Sequence, residues 1–191
     1  MERRRETPAR RGFTLLELVI VIGIIGFLIV LALDRLLGLR VEAERVAMEE
    51  VLGALRAGVA MELVSLVVQG RDGDLVRLDG GNPMDSLMQA PPNYLGEREA
   101  ADPERIPAGS WYFDRGDRLL VYCVRYGKYF ETELSGPARA RFRLELVYRD
   151  RNADGRFEPE VDGLHGARIR AAEAYRWRHE ALEATDLEKK R

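Results

Sequence analysis

Glu17 is the only ionisable side chain between Phe13 and Leu33, in a run otherwise broken only by Thr14, Gly23 and Gly26. A carboxylate there costs up to about 3 kcal/mol at the centre of a bilayer, and less near its interface, so it needs a partner or a purpose. A second group is Asp150, Asn152, Asp154 and Glu158, which with the Arg156 carbonyl set oxygen donors at alternate positions around Gly155. That spacing suits a hard cation such as calcium. A third is Arg139, Arg141 and Arg143, alternating along a strand-like run and able to contact phosphates, although an exposed strand face has the same pattern. No catalytic constellation assembles. His165 and His179 are the only histidines, and Ser65, Ser86, Ser110 and Ser135 stand outside any nucleophile-elbow or phosphate-loop context. Cys123 is the single cysteine, which excludes an intramolecular disulfide and predicts a buried strand thiol. The expectation is a protein that is not an enzyme.

The elements that must position these groups begin with a basic leader. Residues 1–12 carry Arg3, Arg4, Arg5, Arg10 and Arg11 against Glu2 and Glu6. The apolar run 13–33 then has about the length a helix needs to cross a hydrocarbon core. The arginines place the N-terminus in the cytoplasm and export everything after Asp34, as a single pass through a membrane. A secretory signal peptide is a poorer fit, because the apolar run is long and is followed by Asp34-Arg35-Leu36 instead of a small-residue cleavage site. An ordinary anchor has no use for Glu17. With the formal charge at −2, and more negative without residues 1–12, a generally nucleic-acid-coating surface is not expected.

The stretch Arg11-Gly12-Phe13-Thr14-Leu15-Leu16-Glu17-Leu18 closely resembles the type IV prepilin motif. The resemblance implies that prepilin peptidase cuts after Gly12, that Phe13 becomes the N-methylated first residue, and that Glu17 serves subunit assembly. It implies other pilin subunits as partners in a helical filament. On that basis the Glu17 carboxylate of one subunit meets the Phe13 amine of a neighbour. At 4 Å and an effective dielectric near 20 the attraction is about 4 kcal/mol before desolvation, enough to bias register. The motif covers about twenty residues and does not choose among pilins, secretion pseudopilins and related filaments.

Beyond Leu33 the pattern turns amphipathic, with Val41, Met48, Leu52, Leu55, Val59, Leu63 and Leu66 on one face and Arg40, Glu42, Glu44, Arg45, Glu49, Glu50 and Arg56 around it. A helix over 13–68 would be about 85 Å long. Gly38, Gly53 and Gly58 read as permissive bend points and Gly70 as its stop, before a loop at 71–74. Many major pilins carry a kinking proline where this chain has Asp34-Arg35, which leaves a bend there open.

Residues 70–166 read as loops and an antiparallel meander, with strands at 111–113, 118–126, 128–132 and 140–149 and turns at 114–117 and 126–128. The segments 81–84, 91–96 and 107–114 resemble the loop before the sheet in minor pilins of the mannose-sensitive haemagglutinin type and in pseudopilins. Trp111, Tyr112 and Tyr94 then pack the sheet on the helix. At 150–158 a calcium loop and a plain turn both stand. Val161 occupies the place of the EF-hand's bidentate glutamate, with Glu160 or Asp162 as substitutes, and Pro159 interrupts the exit. Residues 167–191 show a weak helical period through Ile169, Ala172, Tyr175 and Trp177 and are expected to be partly helical or disordered.

The reading is therefore an α+β pilin fold, with a long N-terminal helix, transmembrane at 13–33 and amphipathic at 34–69, on a small antiparallel sheet domain. The expected function is a structural subunit, a minor pilin or pseudopilin, of a type IV pilus or type II secretion filament. The alternatives are a tip-displayed adhesin or DNA-uptake module, and a calcium-binding membrane-anchored protein.

Overall fold

The computed structural model describes residues 13–178, so Gly12 with the rest of the leader, and His179 with the final residues, lie outside the described residues. The chain divides into two compact units, Met1–Arg40 and Val41–Arg191. Helix α1 (Leu15–Val68) contributes to both.

The start of α1 is specified locally. The Glu17 N–H donates to Thr14 Oγ1 at 3.2 Å, so Thr14 caps the helix and fills one of the backbone donors that the first turn leaves open. Its end is equally well defined. Gly70 takes φ +63°, and the N–H groups of Arg71 and Gly70 donate to the carbonyls of Leu66 and Val67 at 3.0 and 3.2 Å. This is the paired closure in which a left-handed glycine satisfies the last helical carbonyls.

In the second unit α1 buries the stripe that its spacing predicts: Val41, Met48, Leu52, Leu55, Val59 and Leu66 are all buried, and Leu63 packs against them. A short helix α2 (Asp72–Leu78) follows, where a loop was expected, because Leu75 and Leu78 both turn inward.

The sheet strands are β1 (Tyr94–Arg98), β2 (Trp111–Asp114), β3 (Leu119–Cys123), β4 (Phe130–Thr132), β5 (Arg139–Arg149), β6 (Gly163–Ala171) and β7 (Tyr175–Trp177). Five of them form one sheet in the order β1-β2-β3-β5-β6, and β4 pairs with β7 in a separate two-stranded sheet. All ladders are antiparallel except β1 with β2. The expected meander is therefore interrupted: β4 leaves the main sheet, and Phe130 packs against Tyr175 and Trp177 instead.

The expectation of helix in the C-terminal segment is corrected over its described part, since residues 163–171 and 175–177 are strands. Ile169, Ala172 and Tyr175 fall three apart because a bend at 172–173 separates two strands, which imitates a helical period. Gly58 also has a packing role. A Cβ there would lie 2.7 Å from the Ser86 carbonyl oxygen, so glycine lets the loop backbone lie directly on the helix.

The main core joins Met48, Leu52, Leu55 and Val59 of α1 to Trp111, Leu120, Tyr122, Phe142 and Leu144 of the sheet. β5 alternates as read, with Ala140, Phe142, Leu144 and Leu146 inward. On the other side of the sheet Tyr112, Leu119, Val121 and Cys123 form a smaller cluster under Ile106 and Ala101.

Candidate functional site

The apolar run has no interior of its own. Phe13, Leu15, Leu16, Leu18 and the large apolar residues on to Leu33 are all exposed. The helix is long and apolar enough to cross a membrane, and none of that apolar window is buried within the chain. Leaving so much hydrocarbon against water is unfavourable by about 25 cal/mol for each Å². Lipid or other apolar helices are the surroundings that this surface fits.

Glu17 lies in the first turn of α1. Its carboxylate is exposed. The spacing Thr14 to Glu17 is that of a capping box, and the structure shows its Thr14 half. A carboxylate there also faces the positive end of the helix dipole. Phe13, just before the helix, is 70% exposed. The chain thus brings a bulky apolar residue, a capping hydroxyl and one acid together at the head of an apolar helix.

A second acid on α1 has a role that periodicity could not reveal. Glu44 accepts the Tyr122 hydroxyl at 2.9 Å and the backbone N–H groups of Arg125 and Tyr126 at 2.6 and 3.0 Å. It ties the helix to the end of β3. Burial, and then the nearby Glu44 charge, hold the Tyr122 hydroxyl protonated well above the usual phenol range.

At 150–162 the oxygen donors face their own backbone. Asp150 accepts the N–H groups of Ala153 and Gly155 at 2.6 and 2.8 Å, and Asp154 accepts that of Arg156 at 2.8 Å. The Asn152 amide donates to Asp154 and Glu158 at 3.2 and 3.0 Å. Asp162, which is buried, closes the loop by accepting from the N–H groups of Arg151 and Glu158 at 3.0 and 2.9 Å. These bonds account for the conformation as an Asx-type turn. Among the described residues no group of three or more His, Cys, Asp or Glu side chains is arranged to hold a metal ion.

The arginines on β5 are already partnered to different degrees. Arg141 pairs with Glu173 and reaches Asp117 at 3.4 Å. Arg139 donates to the carbonyls of Ser135 and Pro137, and Arg143 to that of Asp117. His165 is an exposed residue of β6. Cys123 is buried and unpaired. Burial pushes its thiol up to about 11, which keeps it protonated and unreactive at neutral pH.

The family described as the prokaryotic N-terminal methylation motif matches residues 7–33. No curated protein matches the chain, and no solved structure does. The matched residues take in Gly12, Phe13, Thr14 and Glu17 together with the whole apolar run, and the domain that follows is a long helix on a mainly antiparallel sheet. Residues 7–33 carry the prokaryotic N-terminal methylation motif, which supports a type IV pilin-like precursor of the kind that prepilin peptidase processes.

Proposed function

We propose that this precursor supplies a minor pilin or pseudopilin to a type IV pilus or a related secretion filament. Cleavage falls between Gly12 and Phe13, Phe13 is methylated, and the Glu17 carboxylate receives the Phe13 amine of a neighbouring subunit. Before assembly residues 13–33 sit in the inner membrane, with the N-terminus cytoplasmic and the sheet domain exported.

The observation that supports this reading best is the exposure of every large apolar side chain from Phe13 to Leu33, with one acid at the head of the helix. Such a surface is stable while lipid covers it and equally stable once sibling helices replace the lipid. That equivalence makes transfer from membrane to filament core possible without unfolding. Glu17 supplies what apolar packing lacks, a charge whose pairing selects one axial register. In this reading the loop at 150–158 is a structural turn.

The test is Glu17→Ala in cells. Membrane insertion should persist, because the apolar run is untouched, while recovery in sheared filament fractions should be lost. Normal incorporation would refute the assembly role of Glu17.

A further inference from the structure

We infer that the outer face of β5 and β6 carries a binding site for a phosphate or sulfate group, free or as an ester of a small polar molecule. This inference stands apart from the filament reading.

Arg143 and Arg170 are direct cross-strand partners in the β5–β6 ladder. Like charges placed directly opposite one another destabilise a sheet. The surrounding carboxylates relieve this pair on one side only. Glu145 serves Arg168 and Arg170 at 3.0 and 3.1 Å. Glu173 is engaged by Arg141. Arg143 has no carboxylate partner among the described residues, and its guanidinium donates to the Asp117 carbonyl at 2.9 Å. One cation is thus left uncompensated beside another.

The two arginines open into a cleft of about 360 Å³, also lined by Asp117, Leu119, Arg141 and Glu173. Its volume exceeds that of one bare oxyanion and leaves room for a substituent. Arg143 presents a planar fork able to hold two oxygens of one tetrahedral anion, and Arg170, whose Nε and Nη2 face Glu145, adds its charge beside it. An oxyanion between Arg143 and Arg170 would turn their repulsion into two charge-assisted contacts. A single carboxylate group would do this less well, because it spreads one charge over two oxygens. Local rules broken at an otherwise consistent sheet face are what a binding site is expected to show.

The test is calorimetric titration of the full chain in maltoside micelles, in phosphate-free buffer, with inorganic phosphate, sulfate and glycerol 3-phosphate. Saturable binding is expected, weakened at least about tenfold in Arg143→Ala and Arg170→Ala, partly kept in Arg143→Lys and unchanged in Arg45→Ala, which lies on α1 against the opposite face of the sheet. Tighter binding of glycerol 3-phosphate would identify an esterified ligand, and equal binding a free oxyanion. In the absence of ligand Arg143→Ala should melt no lower than the parent, since it removes a repulsion. Absence of saturable binding by the parent would overturn the proposal. So would unchanged affinity in Arg143→Ala, or a lower melting temperature in that variant without any loss of binding.

Discussion

The apolar segment 13–33 and the domain from Val41 onward treat their hydrophobic residues in opposite ways. In the first, every large apolar side chain is exposed; in the second, Met48, Leu52, Leu55 and Trp111 are each at most 2% exposed. The domain completes itself, whereas the segment is finished only by what surrounds it. Charge follows the same division. The Glu44 carboxylate receives three donors from the domain's own chain, while that of Glu17 has no hydrogen bond to another described residue. Two glutamates on one helix therefore differ: one holds the fold, and the other is the one on which the proposed assembly role rests.

Truncating the domain core should produce the largest effect. Trp111→Ala removes a side chain packed on Tyr122 and Phe142 and should cost about 4 kcal/mol in denaturant unfolding of the domain. Loss of helix-to-sheet pairing comes next. Glu44→Ala leaves two backbone N–H groups and a phenol without their acceptor and should cost about 2 kcal/mol. Gly58→Ala forces the Ser86 carbonyl to move and should cost about 1–2 kcal/mol, measured in the same way.

Alkaline titration gives a smaller and signed effect. Burial raises the Cys123 thiol to about 11 and the Tyr112 phenol to about 12. Each is held protonated in the fold and ionises more readily in the unfolded chain. Their contribution is therefore complete below the ordinary thiol and phenol ranges and lost as pH rises through the folded values. Chemical unfolding followed from neutral pH to about 11 should show this decline, and Cys123→Ala should reduce its first part. The smallest change is expected at the other side of the comparison. Ile22→Ala, in the exposed segment, should alter domain stability by no more than about 0.5 kcal/mol. A large destabilisation there would mean that the segment is not finished from outside.

What could be read from the sequence followed the same division. The apolar run and Glu17 are visible because their meaning lies in consecutive residues, and the α1 stripe and the alternation of β5 are visible because each repeats a fixed period. Glu44 was hidden because its partners lie 78 to 82 residues away, and nothing local marks it among the charges of α1. β1 escaped because it is five residues long, contains Gly96 and pairs in parallel with an irregular register. β6 and β7 were concealed by their spacing around a bend; the strand read at 128–132 contains β4, but its departure from the main sheet to pair with β7 was not visible. In the loop at 150–158 the donor spacing was legible, but the role of Asp162 in closing it depended on the fold.

The central claim concerns the head of α1, and the mass and fragmentation of the N-terminal peptide from the protein isolated from its native membranes test it most directly. The account predicts a chain that starts at Phe13 and carries one methyl group on its amine. Recovery of the chain with residues 1–12 still attached, in cells that contain an active prepilin peptidase, would contradict it.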